Sequence, residues 1–434
     1  MPSVPPLTPA MQHLIADVAA QLADAPRLGE LFANCFPNTY ETTLRPMDDG
    51  TTFVITGDIP AMWLRDSAAQ VRPYLTLAAD DQHLSDLIAG VSRRQFAFVN
   101  LNPYANAFNA TASDAGHQDE THGGPQIWEA KYEIDSLCYP IQLAYLLWRA
   151  TGRTDHLDAS FRSGCAAILD LWRVEQRHAD SPYYFRRTNC PPSDTLSHAG
   201  HGAPVGYTGM TWSGFRPSDD ACTYGYLVPA NMFAVVVLGY LAEIADTVLA
   251  DAALAADARA LRAEIEGGIR AHAVVQHAEF GQIFAYEVDG LGNANLMDDA
   301  NVPSLLALPY LGYCTADDPI YQNTRRFVLS QANSYYFAGR AAQGIGSPHT
   351  PPRYIWHIAL AMQGLTSTDA AERRALLALM AATDGGTGVM HEGFDVDDPR
   401  NFTRAWFAWA NAMYAELALL VCGIVVPGSP LAQR

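Results

Sequence analysis

The chain has no CxxC pair, and its seven cysteines (Cys35, Cys138, Cys165, Cys190, Cys222, Cys314 and Cys422) are scattered and odd in number. That argues against both a disulfide framework and a thiolate zinc site. No basic stretch leads into a continuous apolar segment at the N-terminus; "MPSVPPLTPAMQHLIADVAAQLADAPRLGEL" reads as a short Pro-rich lead into an amphipathic helix. The cytoplasm is therefore the expected compartment. No uninterrupted apolar run approaches 18 residues, so no membrane span is expected. Basic residues are scarce as well, 27 Lys and Arg against 46 Asp and Glu, and the net charge of −19 disfavours nucleic acid and anionic membranes as partners. A neutral or cationic ligand fits better, and most of the acidic excess reads as solvated surface.

What is abundant is apolar: 49% of the 434 residues are hydrophobic and only 17% charged, enough for a large core. The apolar spacing is helical nearly everywhere, with almost no alternation of the strand type. After a leading helix at 9–24, the segments fall into pairs: 66–79 with 82–100, 132–151 with 157–177, 229–249 with 254–273, 302–312 with 319–332, and 353–365 with 370–382. A last apolar helix covers 403–424. Connectors within pairs are short; those between pairs (37–65, 102–131, 178–228, 274–301, 333–352, 383–402) are long and rich in Gly, Pro, Asp, Trp and Tyr. If antiparallel pairs stack in a ring, every long connector emerges at the same end. Long loops in a compact domain are usually functional, so that rim is the expected site. The pattern predicts an all-α (α/α)6 toroid, one domain over 1–434 with 1–38 as helical lead-in. An open α-solenoid is the alternative, but it calls for a residue-level repeat and uniformly short loops.

Three connectors carry the densest chemistry. "TGDIPAMWLRDSAAQVRPYL" (56–75) places Asp58, Trp63, Arg65 and Asp66 at the mouth of a helix. Asp66 or Ser67 could simply cap that helix. Alternatively, Arg65 and Asp66 hydrogen-bond the vicinal hydroxyls of a sugar whose C–H face stacks on the indole of Trp63. "TWSGFRPSDDACTYGYLVP" (211–229) sets Asp219 beside Asp220, with Arg216, Tyr224 and Tyr226 nearby. Ser218 and the two Asp could open a helix. Adjacent carboxyls can also keep one of the pair protonated, as a general acid requires. "DGGTGVMHEGFDVDDPRNFTRAWFAWAN" (384–411) puts His391 and Glu392 in a Gly-rich connector before an aromatic helix. Asp395, Asp397 and Asp398 there read as a solvated turn, since the ligand alternation of a calcium loop is incomplete.

Further candidates divide between helix capping and site. They are Asp298 and Asp299 in "NLMDDANVP", and Trp128, Glu129, Lys131, Tyr132, Glu133 and Asp135 in "GPQIWEAKYEIDSLCYP". His198 and His201 have a loose metal-ligand spacing without a third ligand. The sequons at Asn109 and Asn401 carry no weight without a secretory signal. Together, acidic and aromatic residues converge on one rim. Two carboxyls flanking a sugar, with aromatic stacking, are what glycoside hydrolysis requires.

The motifs "TGDIPAMWLRDSAAQVRPYL", "GFRPSDDACTYGYLVPANMFAVVVL", "NLMDDANVPSLLALPYLGY" and "FTRAWFAWANAMYAEL" closely resemble the metal-independent exo-α-1,6-mannosidases of glycoside hydrolase family 125. The likeness runs from about Thr39 to the last helix, and the Trp-x-Arg-Asp-Ser core also resembles glucoamylase-type enzymes of the (α/α)6 fold. The resemblance implies an inverting enzyme, without metal or cofactor, that removes terminal α-1,6-linked mannose from mannans or N-glycan fragments. It places the general acid on Asp219 or Asp220, with Asp220 slightly preferred, and the general base on Glu392. Arg65 and Asp66 match residues that grip the terminal sugar. The chain departs from the pattern at Gly393, where the resemblance leads one to expect Ser. In an inverting enzyme the two catalytic carboxyls stand roughly 6.5–9.5 Å apart to admit a water. The rival readings are another enzyme on the same toroid, an α-glucosidase or a sugar epimerase, and a non-enzymatic glycan-binding toroid.

Overall fold

In a computed structural model, which describes residues 6–117, 119–120 and 123–433, the chain is a ring of helical hairpins. The first five residues of the Pro-rich lead lie outside the described residues. The helices are α1 (Pro9–Gln21), α2 (Pro26–Thr42), α3 (Leu64–Val71), α4 (Gln82–Leu101), α5 (Ile134–Thr151), α6 (Ala159–Glu175) and the single turn α7 (Ser197–Gly200). They continue with α8 (Val228–Thr247), α9 (Ala252–His272), the turn α10 (Leu308–Leu311), α11 (Pro319–Val328), α12 (His357–Thr366), α13 (Ala370–Ala382) and α14 (Ala408–Val421). Helices α3, α5, α8, α10, α12 and α14 pack each on the next, and α14 returns to α3, so the inner ring closes. Outside it, α4 lies on α5, α9 on α8 and α13 on α12.

Burial sorts inner from outer helices. Every residue of α3 is buried, as is Ala408–Leu419 of α14 and Val228–Leu238 of α8, because an inner helix is enclosed on all sides. By length and composition alone α8 could cross a membrane, with a mean hydropathy of 1.7. Its apolar run is nevertheless interrupted by Asn231, Glu243 and Asp246. Its apolar faces are taken up by the ring, which buries 83% of that stretch.

Helix capping follows the same division. The outer helices α4, α6, α9, α11 and α13 begin at Asp81, Asp158, Asp251, Asp318 and Asp369, whose carboxylates accept backbone N–H groups of the first turn. The inner helices α3, α5, α8, α12 and α14 begin at Trp63, Glu133, Leu227, Trp356 and Phe407, with no side-chain cap. Their positive N-terminal ends are thus left for groups at the rim.

The structure corrects the sequence reading in three places. The leading segment is two helices, and the second, α2, runs on to Thr42 where a connector from 37 was expected; it packs on α14 and α13 as the outer helix of the last hairpin. Pro37 inside α2 hid it, since an interior proline normally breaks a helix. The expected helix at 302–312 is reduced to the turn α10. Pro303 and Pro309 lack N–H donors there, and the Asp298 carboxyl takes the N–H groups of Leu305 and Leu306 instead. Finally, the connectors hold strands of two to four residues in small sheets, too short to show a period of two. Met62–Trp63, Ala107–Phe108 and Ile127–Glu129 form one; Tyr226–Leu227, Glu287–Val288 and Ala294–Asn295 another; Tyr354–Trp356 and Gly393–Asp395 a third. These sheets lead into α3, α8 and α12 and tie the rim loops to one another.

Asp81→Ala removes the carboxylate that accepts the Leu84 N–H at 3.1 Å. It is expected to lower the unfolding free energy by about 1 kcal/mol, read from the urea midpoint, with kcat unchanged because α4 begins at the end of the ring away from the rim.

Candidate active site

A cavity of about 260 Å³ opens at the rim where the inner helices begin. Trp63, Arg65 and Asp66 enter it from the start of α3, Asp219 from the connector before α8, Glu392 from the connector before α14, and Trp409 from α14 itself. Segments more than 300 residues apart in sequence thus share one wall.

Arg65 organises this wall. Its Nη1 donates to Glu133 Oε2 at 2.6 Å and to Asp135 Oδ2 at 3.0 Å, its Nη2 to Asp219 Oδ1 at 3.2 Å, and its Nε stands 3.5 Å from Asp66 Oδ1. Only a guanidinium spans so many carboxyls at fixed geometry. Burial, opposed by Arg65 and Arg404, pushes the Asp66 carboxyl up to about 6.

The Asp219–Asp220 pair sits in a tight turn. The Asp219 N–H donates to Arg216 O at 2.9 Å, and the Arg216 N–H donates to Asp220 O at 2.8 Å. Asp219 adopts φ +65°, a left-handed conformation uncommon outside glycine. The turn is held from behind by Arg216, whose Nε donates to Glu287 at 2.6 Å, and by Lys131, whose Nζ donates to Asp219 O at 2.7 Å. In consequence the two carboxyls diverge. Asp219 lines the cavity with 25% of its side chain exposed and accepts from Arg65 and Asn106. Asp220 turns inward, 6% exposed, and accepts from Ser218 Oγ at 3.0 Å. Burial acts to raise the Asp219 carboxyl, but Arg65 and Lys131 override it and hold the group below the usual carboxylate range.

Glu392 stands across the cavity at the head of the strand Gly393–Asp395, whose pairing with Tyr354–Trp356 fixes its direction. A Cβ at Gly393 would lie 3.1 Å from Trp356 Nε1, so the glycine fits a close approach of the two strands. Arg404 Nη1 is 3.7 Å from Glu392 Oε1, and Arg404 is itself held by Asp58, whose Oδ1 accepts from Nε at 2.9 Å. His349 also lines the cavity. Burial opposes its charge, but Asp220, Glu392 and Asp219 raise it to about 9, so it is cationic at neutral pH.

Several lining groups have unsatisfied donors. Trp63 Nε1, Trp409 Nε1, Asn301 Nδ2 and Arg65 Nε are buried and find no hydrogen-bond partner among the described residues. Buried donors are rarely left unpaired, and a polyhydroxylated ligand would pair them.

Of the residues singled out from sequence, Trp63, Arg65, Asp66, Asp219 and Glu392 line the cavity. The others stand behind it. Asp58 holds Arg404, and Arg216 holds the Asp219 turn. Asp298, pushed up to about 8 by burial, caps the turn at 305–306, and Asp299 accepts the Asn301 N–H. His391 stacks on Phe402 at 3.7 Å and touches the carbonyl of Arg404. Tyr224 donates its N–H to Glu287, and Trp128 packs against the cluster of Trp63, Ala61 and Ala107 beside the cavity. Sequence reasoning missed Asn301, His349, Trp356, Arg404 and Trp409. Asn301, Arg404 and Trp409 lie inside quoted motifs, but no spacing rule marks them. No group of three His, Cys, Asp or Glu that could hold a metal occurs among the described residues.

Arg65→Gln would leave buried carboxyls without their counter-charge and is expected to cost about 3–5 kcal/mol near neutral pH. The sign with pH follows from Asp66. Its folded value of about 6 exceeds the ordinary 3.8, so its ionisation works against the fold as pH rises between those values. Removing Arg65 raises such groups further. The urea midpoint of the variant should therefore fall more steeply than that of the wild type between about pH 4 and pH 8.

Comparison with known proteins agrees with this geometry. The family model described as metal-independent α-mannosidase, glycoside hydrolase family 125, matches residues 25–419. A fission yeast (Schizosaccharomyces pombe) protein, the meiotically up-regulated gene 157 protein, is 39% identical, over 94% of this chain and 85% of its own length. A metal-independent α-mannosidase of Streptococcus pneumoniae, solved in a non-productive complex with α-1,6-mannobiose, superposes with a TM-score of 0.95 at 51% identity, covering 96% of this chain and 99% of that one. A bacterial glucoamylase solved with acarbose shares the fold, with a TM-score of 0.59 at 15% identity over 93% of this chain and 57% of its own. The closed ring of hairpins is thus the (α/α)6 glycosidase fold, and the chain belongs to the metal-independent α-mannosidases of glycoside hydrolase family 125.

Proposed function

We propose that the protein is an exo-acting α-1,6-mannosidase that removes terminal mannose from the non-reducing end of mannans or N-glycan fragments by single displacement with inversion. The observation that carries this reading is the placement of Asp219 and Glu392, from two distant connectors, on one cavity with buried indole and amide donors. At about 260 Å³ the cavity falls below the range of about 300–1,000 Å³ for drug-sized ligands, which suits one sugar ring and hence exo action. The α-1,6-mannobiose bound by the pneumococcal relative supports the linkage.

Glu392 is the base in this mechanism. It takes a proton from a water that attacks C1 of the mannosyl ring, while Arg404 orients it. Asp219 is the acid that protonates the departing O6, because its carboxyl lines the cavity, whereas that of Asp220 is turned inward to Ser218 and His349. Arg65, Asp66 and Asn301 hold the sugar hydroxyls, and Trp63 offers an apolar face to its C–H side. The seven cysteines are free thiols, which supports a reducing compartment, the cytoplasm.

On α-1,6-mannobiose, proton NMR should show β-mannose as the first product, with α-mannose appearing only by later mutarotation. First release of α-mannose would sink the inverting mechanism, and cleavage of isomaltose in preference to mannobiose would sink the substrate reading. Glu392→Gln should lower kcat by about 10²–10⁴-fold while the Kd for mannobiose stays within a few-fold of the wild type.

A further inference from the structure

A general acid must carry a proton, yet Asp219 accepts from Arg65 Nη2 at 3.2 Å and from Asn106 at 3.4 Å and feels the charge of Lys131, all of which favour its ionised form. The proton must come from a neighbour, and the surroundings of Arg65 contain one. Four carboxyls, Asp66, Glu133, Asp135 and Asp219, face this guanidinium. Arg65 contacts all four, while Lys131 and His349 act on Asp219 and Arg404 on Asp66; Glu133 and Asp135 are left with Arg65 between them, so this side of the cluster retains a proton.

Glu133 and Asp135 each keep one buried oxygen without a partner among the described residues, and of the two it is Glu133 whose carboxyl meets the Asp219 side chain. It precedes α5, its side chain has no exposure, and its Oε2 receives Arg65 Nη1 at 2.6 Å and Ser136 Oγ at 2.8 Å. Its Oε1 is buried without a partner among the described residues. The groups facing it are Arg65 from α3, Asp135 and Ser136 from the first turn of α5, and Asp219 from the turn before α8, with the Tyr183 hydroxyl and the Cys222 thiol further off. Asp219, in contrast, has Arg65 and Asn106 on Oδ1, the charge of Lys131 and that of His349. A carboxylic O–H on Glu133 would turn its orphan oxygen into a donor, and the Asp219 carboxylate is the acceptor within hydrogen-bond reach.

We propose that Glu133 is a positioning residue that holds the proton of the acid, donating a hydrogen bond to Asp219 at rest and passing the proton to it during turnover. This rests on the reading of Asp219 as general acid. Burial, reinforced by the charges of Asp219 and Asp135 against the pull of Arg65, pushes the Glu133 carboxyl well above its usual range. The pair then titrates as a unit with one proton between two carboxyls. In the reaction, the Glu133 proton moves to Asp219, which gives it to O6 as the C1–O6 bond breaks. The water oxygen bonds to C1, and Glu392 takes the water proton. The proton on Glu392 returns to solvent and the pair regains one, so the cycle balances.

Glu133→Gln tests the proposal because the amide keeps size, neutrality and an N–H donor toward Asp219 but has no proton to release. On α-1,6-mannobiose, kcat should fall by about 10²-fold or more, while an aryl α-mannoside with a dinitrophenolate leaving group, which departs unprotonated, should be turned over near the wild-type rate. The alkaline limb of kcat/KM on mannobiose should also move to lower pH by about one unit or more. Equal losses on both substrates would make Glu133 merely structural, and no loss on either would make it dispensable; each overturns the proposal. Ser136→Ala gives a second readout should the first variant not fold. It removes a hydrogen bond that favours ionised Glu133, so the alkaline limb should rise, and an unmoved limb would count against the proposal. Asp219→Asn serves as control. If it does not itself spare the aryl substrate, the acid reading fails independently of Glu133.

Discussion

One buried guanidinium meeting four carboxyls is the interaction on which the rest of the site depends. Arg65 joins α3 to the head of α5 through Glu133 and Asp135, and to the turn before α8 through Asp219. The heads of these inner helices are thereby locked in register at the rim. Buried ion pairs add little to stability when set against apolar packing of the same volume, and breaking one is costly. The cluster is better understood as a device for geometry and proton placement than as a source of stability.

The ring supplies what this cluster needs. Inner helices begin at the rim without caps from their own N-cap side chains; loop and sheet partners take first-turn N–H groups such as those of Leu64, Ile134, Val228 and Ala408, and the positive ends of α3 and α5 lie beside Asp66, Glu133 and Asp135. The outer helices α4, α6, α9, α11 and α13 carry ordinary Asp caps and turn their N-termini to the other end. The functional end is therefore the one where local capping rules are suspended, and short sheets replace caps in fixing how each connector enters its helix. The same end holds the left-handed Asp219 and Arg404, both non-glycine residues at positive φ, one bearing an acid and the other touching the second carboxyl. Local strain of this sort persists only where surrounding contacts over-determine it. Here Lys131, Arg216 and Asp58 provide those contacts.

How much of this was legible in the sequence depended on range. Helix pairing and the long connectors were visible because amphipathic periodicity is local and survives without partners. The motif around Trp63, Arg65 and Asp66 was visible as a cluster, as was the Asp219–Asp220 pair as adjacent carboxyls; the assignment of Glu392 as base came through family likeness. Helix α2 was hidden by Pro37, and the rim strands by their shortness. His349 carried no local signal, and Asn301 lay inside "NLMDDANVP" with nothing in its spacing to mark it. Their role comes from standing beside a cavity whose other walls are distant in sequence.

By itself the sequence determined the all-α pattern, the hairpin spacing and the residue types available for acid, base and stacking. These follow from periodicity and side-chain chemistry over tens of residues. Only the tertiary structure decided that α2 closes the ring against α14, that Asp219 faces the cavity while Asp220 turns inward, and that His391, Arg216 and Asp298 support rather than line it. Each of those outcomes is a direction in space. Two adjacent aspartates are equivalent in a sequence until a turn at positive φ, pinned by Lys131 and Arg216, points one toward Arg65 and the other toward Ser218.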